Sequence, residues 1–173
     1  MLSKFFTRSR VAERGFTFID LMAAVGVVAI GFAGIFYSNS RALNMLRASK
    51  ETVTASKMLQ QRMELVRLQD WAEVTDVASV QTLMGTAADA SGLLTNPVET
   101  ITVSPFPPSA GAATIQVQRA ANGTVTQISD NPNLVDGNSA VRVDVRVTWT
   151  GTPNGRTRLR ETSTVVANGG LGG

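Results

Sequence analysis

The sequence predicts an α+β fold, one long N-terminal helix followed by a small antiparallel β-sheet. Three observations predict it. From residue 21 to residue 40 the chain carries no charged side chain, a run of 20 residues, and at ~1.5 Å rise per residue that is about 30 Å of helix, the thickness of a bilayer's hydrocarbon core. No proline or glycine falls between Gly34 and Trp71, so the helix is predicted to continue well past the apolar run. Val141, Val143, Val145, Val147 and Trp149 alternate with polar residues, the period-2 signature of a strand with one buried face.

Residues 1–15 read as a leader. Lys4, Arg8, Arg10 and Arg14 face only Glu13, a net charge of +3, and Leu2, Phe5 and Phe6 are the bulky apolar groups before Val11. An ordinary secretory signal places its cleavage site after the apolar block. Here the apolar block follows Gly15, so a cut at that junction leaves the helix in the mature chain. The positive flank belongs on the cytoplasmic side, which puts the C-terminal part across the membrane. Residues 16–40 are then a hydrophobic helix of membrane-spanning length. Gly26, Gly31 and Gly34, with Ala23, Ala29 and Ala33, thin one side of it, and small residues let helices approach closely in lipid.

Residues 41–70 are predicted as an amphipathic continuation. Ala42, Leu46, Ser49, Val53, Ser56, Leu59, Met63 and Val66 step by three or four and define one narrow apolar-to-small stripe. Glu51, Arg62 and the other charged residues fall on other faces. Roughly 55 residues of helix from Phe16 would span about 80 Å.

Residues 71–100 read as a helix-to-sheet connection, with Trp71 anchoring the helix end, a short helix over Asp76–Met84 stopped by Gly85, and a loop after it. The β domain is assigned to 101–167: a short strand over Ile101–Val103 ended by Pro105, a hairpin of Thr114–Arg119 and Thr124–Ile128 around Ala-Ala-Asn-Gly, the Val/Trp strand, and a return strand over 156–167 after the turn Gly151–Gly155. Residues 168–173 read as a flexible tail.

Composition narrows the chemistry. The chain has 173 residues and neither cysteine nor histidine, which excludes thiol and imidazole catalysis and the usual zinc sites. No P-loop, Gly-x-Ser-x-Gly or dinucleotide fingerprint is present. No enzyme activity and no cofactor are expected. The net charge is +3, and the leader accounts for it, so the mature chain is neutral and gives no general argument for nucleic acid.

Gly15-Phe-Thr-Phe-Ile-Asp-Leu21, followed by Met-Ala-Ala-Val-Gly-Val-Val-Ala-Ile-Gly31, resembles the class III signal of type IV pilins and type II secretion pseudopilins. The resemblance is strong over residues 14–36 and weaker along 37–70. It implies that a prepilin peptidase cuts between Gly15 and Phe16 and methylates the new N-terminal amine of Phe16. It also implies that Asp20, standing where the family usually has Glu, pairs with the N-terminal amine of a neighbouring subunit. An isolated carboxylate at mid-bilayer costs about 2.5–3.5 kcal/mol on the insertion scale, which favours such pairing. A local role fits as well, since Thr17-x-x-Asp20 has the spacing of a capping box. Tyr37 stands where many major pilins have proline, and the disulfide loop of many major pilins is absent. The chain looks most like a minor subunit of the PilV or GspI type. The partners implied are the prepilin peptidase, other pilins or pseudopilins, an inner-membrane assembly platform, and membrane lipid before assembly. The alternatives are a pilus-tip adhesin or DNA-binding minor pilin, and an unprocessed single-pass anchor with a periplasmic β domain.

Two further constellations stand out. Arg142 and Arg146 alternate with the Val/Trp face, and Arg156, Arg158 and Arg160 alternate on the return strand. Pairing of Thr150 with Arg156 would put all five on one outer face, a patch for an acidic subunit or for nucleic-acid phosphates. A slip of one residue would set Arg146 against Glu161 and split the patch. Asp130, Asn133 and Asp136 supply oxygen ligands that could suit calcium, though their spacing is not that of an EF-hand and the same residue types build ordinary turns.

Overall fold

A computed structural model describes residues 17–86, 92–108, 114–129 and 139–169. The leader, Gly15, Phe16, Asp130, Asn133, Asp136 and residues 170–173 of the tail lie outside the described residues. Helix α1 spans Phe18–Arg67, α2 Trp71–Val74 and α3 Val77–Gly85; the strands are β1 (Thr95–Pro105), β2 (Ile115–Arg119), β3 (Val125–Gln127), β4 (Ala140–Gly151) and β5 (Arg156–Ala167). The expected α+β class is therefore observed, with a long helix packed on an antiparallel sheet. The sheet has five strands, one for each segment read as β, in the order β3-β2-β1-β4-β5.

The chain divides into two compact units, residues 1–43 and 44–173, with α1 running through the division. In the first unit the described residues are exposed along the helix from Phe18 to Leu43. Its apolar window has a mean hydropathy of 2.2. This one helix is long and apolar enough to cross a membrane, by length and composition.

The second unit carries the hydrophobic core. Alternate residues of β4 from Val141 to Trp149 are buried, as are Ile101 and Val103 of β1 and Ile115 and Val117 of β2. From the helices come Ala55, Met58, Leu59, Met63 and Val66 of α1, Val74 of α2, and Val80 and Met84 of α3. Each fully buried Val, Leu, Ile or Met contributes about 1.5–3 kcal/mol relative to leaving it exposed. β1 starts six residues earlier than the sequence reading placed it. Asn96, at φ +49°, and Pro97 sit at a register shift between Thr95 and Val98. Asn tolerates the left-handed region better than most residues, and the resulting bulge re-aims the strand so that Glu99, Ile101 and Val103 face inward.

The stripe expected on the outer half of α1 is correct only at its end. Leu59, Met63 and Val66 are buried, but Leu46 and Val53 are 58% and 51% exposed. The buried face instead runs through Glu51, Ala55, Met58, Arg62 and Val66. Glu51 and Arg62, expected on other faces than the stripe, are thus inside. The physical reason lies in the sheet, which supplies hydrogen-bond partners for both. The segment 71–100 is also more structured than a connecting loop. Glu73 accepts from the Asp70 N–H at 3.1 Å at the start of α2, and Asp76 caps α3 by accepting from the Ser79 N–H at 2.8 Å.

Candidate functional site

Of the three residues singled out at the head of the helix, Asp20 lies among the described residues. Its Oδ2 accepts from the Thr17 N–H at 3.0 Å and from the Thr17 hydroxyl at 2.8 Å, while the Asp20 N–H donates to Thr17 Oγ1 at 3.3 Å. This reciprocal pattern is a capping box, and the carboxylate also sits at the positive end of the helix dipole. The side chain is exposed, as is the apolar helix that follows. The first turn therefore presents a pre-oriented carboxylate at the start of an uncovered apolar rod.

The five arginines are not brought together. Gly151 pairs with Arg156, Thr150 with Thr157, Trp149 with Arg158 and Arg146 with Glu161. That is the slipped register of the two weighed above. Residues directly opposite share a face, so Arg156, Arg158 and Arg160 lie on the helix-side face with Val147 and Trp149. Arg142 and Arg146 lie on the outer face, and Arg142 is tied to Asp144 at 2.8 Å. The unified basic patch does not form. The calcium candidates Asp130, Asn133 and Asp136 lie outside the described residues, and no group of three or more acidic or metal-ligating side chains occurs among the described ones.

Two buried polar clusters join the outer half of α1 to the rest of its unit, and the sequence reading missed both. The first is centred on Glu51, 6% exposed. It accepts from Trp149 Nε1 at 3.2 Å, from the Thr152 N–H at 3.2 Å and from the Thr152 hydroxyl. Arg158 folds back over the same turn and donates to the Thr152 carbonyl at 3.1 Å. Gly151 permits this, since an added Cβ would overlap the Arg158 side chain. Burial pushes the Glu51 carboxyl up, but the bonds from Thr152 and Trp149 and the nearby Arg158 charge outweigh it and hold the group below its ordinary value.

The second cluster is centred on Arg62, fully buried. Its Nε and Nη2 donate to the two oxygens of Glu99 at 2.6 and 2.8 Å. Nη1 donates to the Leu83 carbonyl and Nη2 to the Thr86 carbonyl at 2.9 Å. One guanidinium thus holds β1 and satisfies carbonyls at the C-terminal end of α3, which are left open by the helix itself. The fork geometry suits this, and a lysine could not do it. The sequence did contain a signal. Glu99 shares strand parity with Ile101 and Val103, so it points inward and requires a buried cation. Glu51 and Arg62 share a helical line with Ala55 and Met58.

In both clusters the hydrogen bonds join α1 to another element, the end of β4 and its turn in the first, β1 and the end of α3 in the second. No protein-family model, curated protein or solved structure matches this chain.

Proposed function

We propose that this protein is a minor pilin or minor pseudopilin, a structural subunit trimmed by a prepilin peptidase and assembled into a type IV pilus or a type II secretion pseudopilus. The observation that carries the reading is the division of labour along one 50-residue helix. Its apolar first part is uncovered and headed by a capped carboxylate at Asp20, whereas its outer part is locked to its own sheet by Glu51 and Arg62. An uncovered apolar helix is stable in lipid or against other apolar helices, and a filament core supplies the latter. The resemblance of residues 14–36 to the class III signal supports the same reading. The work is mechanical, and the chain is not proposed to be an enzyme. Its location would be the inner membrane first, with the β domain in the periplasm, and then the filament.

The rival in which five arginines hold DNA loses its geometric support, since the register puts them on opposite faces of the sheet. Mass spectrometry of the native protein's N-terminus tests the proposal. A methylated Phe16 is the expected result. A mature chain that retains Met1 and the leader would refute it and leave a single-pass membrane anchor.

A further inference from the structure

The sheet ends on two unlike edges. β3 is a strand of 3 residues, and a very short edge strand is one of the ways a sheet is kept from pairing with a foreign chain. β5 has 12 residues. Its pairing with β4 runs from Ala140–Ala167 to Gly151–Arg156 without a shift. Neither a proline nor a bulge interrupts it, and from Thr162 to Ala167 it carries no charge. Its one neighbour in the sheet is β4.

The free side of β5 is assigned residue by residue. The Asn168 N–H donates to the Ser139 carbonyl at 2.7 Å. That bond continues the register of the two strands and marks the even-numbered positions of β5 as those that exchange hydrogen bonds with β4. In an antiparallel ladder they alternate with positions whose N–H and C=O point the other way. Thr157, Leu159, Glu161, Ser163, Val165 and Ala167 therefore turn their backbone groups to the open edge. Their side chains lie on the outer face, where Leu159 and Val165 are 46% and 50% exposed and Glu161 stands opposite Arg146.

The helix side of the same edge is basic. Arg156 and Arg160 are exposed, and neither makes an ion pair among the described residues. Arg160 borders an open groove of about 660 Å³ between β5 and α1, together with Leu59, Met63, Glu64, Arg67 and Thr162. The one acid on the α1 wall, Glu64, is already paired with Arg67 at 2.8 Å.

We infer that the edge of β5 accepts an extended segment of another protein chain as an added strand, one with acidic side chains towards α1 and aliphatic side chains on the outer face. The backbone groups of the odd-numbered residues supply the pairing, as in other cases of strand addition. The added strand meets Arg160 in a non-hydrogen-bonded pair, the kind in which opposite side chains come closest. Like charges directly opposite destabilise such a pair and opposite charges stabilise it. The arginines therefore turn away a basic strand and admit an acidic one, while its aliphatic face meets Leu159 and Val165. The edge lies wholly within residues 44–173, so the inference rests neither on removal of the leader nor on filament assembly.

The test uses the full-length chain in detergent micelles and a capped peptide of alternating glutamate and valine, about ten residues long. Backbone amide exchange is followed by NMR. At saturation the amides of Leu159, Glu161, Ser163 and Val165 should exchange at least about tenfold more slowly, whereas those of Arg160, Thr162 and Thr164, already bonded to β4, should change little. A lysine–valine peptide should bind at least about tenfold more weakly. The acidic peptide with every valine N-methylated keeps its charges, loses the donors that face β5, and should give no protection. Ser163→Pro removes a donor from the open edge and none from the ladder with β4; on a chain whose urea midpoint confirms that it is folded, it should weaken binding at least about tenfold. Arg160→Glu should narrow or reverse the preference for the acidic peptide. No slowing up to about 1 mM peptide, or equal protection by the N-methylated peptide, would overturn strand addition. Equal binding of the lysine–valine peptide would overturn the acidic partner. So would tighter binding of a peptide that copies residues 156–167, since the occupant would then be a second copy of this chain.

Discussion

Replacing Arg62 with methionine should destabilise the β-domain unit by about 3–5 kcal/mol, the usual cost of removing one partner of a buried ion pair. The magnitude follows from what the change leaves behind. Glu99 is 3% exposed and would retain a carboxylate with neither of its two guanidinium bonds. The Leu83 and Thr86 carbonyls would lose their donors too. Those two are only part-buried, so water can replace much of what they lose, at about 1 kcal/mol each. Arg62→Met combined with Glu99→Leu removes both charges and should recover most of the loss, ending about 1–2 kcal/mol below the wild type. Urea unfolding of the full chain in micelles, followed by tryptophan fluorescence, reads this through Trp149, which is 2% exposed in the core. The comparison holds while the urea slope is unchanged between variants. A single substitution costing under about 1 kcal/mol, or a double variant no more stable than the single, would refute the view that Arg62 is a buried, charge-paired tie.

Three other outcomes are expected. Because the Glu51 pKa is depressed in the folded state, its contribution is present above the ordinary carboxylate range and is lost as pH falls through the lowered value. Glu51→Gln should therefore unfold about 1–2 kcal/mol more easily near neutrality, with the gap narrowing as pH falls below the ordinary carboxylate range, in urea midpoints measured across that range. Ile101→Ala, at a site 1% exposed, should cost about 2–5 kcal/mol, whereas Leu46→Ala and Val53→Ala should each stay within about 0.5 kcal/mol because they are already solvent-facing; equal losses at all three would restore the stripe first read from the sequence. Asp20→Ala should insert normally in the membrane yet enter filaments poorly, checked by the amount of subunit recovered in sheared filaments, and unchanged incorporation would remove the pairing role.

The elements that write their period into the chain were legible. The apolar run of α1, the alternation of β4 and the Asn122-Gly123 hairpin announced themselves because one face of each is buried or one turn is chemically demanding. The return strand was placed at its observed limits for the same reason. The register of β5 was not legible, since the turn after Gly151 admits two pairings and only the tertiary contacts of Arg158 and Thr152 distinguish them. The buried face of α1 lies off the expected stripe because Glu51 and Arg62, read as belonging to other faces, meet polar partners on distant elements. Glu99 is 37 positions from Arg62 along the chain, and Trp149 is 98 from Glu51. The strand expected over Ile101–Val103 is longer at both ends, since a bulge at Asn96 lets β1 absorb Pro97 and Pro105 is its last residue.

The placement of Glu51 has a mechanical consequence. Along α1 it is the first side chain that is both buried and bonded to a distant element, and the elements it grips are the end of β4 and the turn into β5. A tug on the exposed stretch of helix is therefore resisted first at a three-bond clamp, and only afterwards by the Arg62 tie eleven residues further on. The load enters β4, which is hydrogen-bonded on both sides along most of its length. Tension delivered through the rod thus passes into a central strand with a neighbour on each flank rather than into a sheet edge.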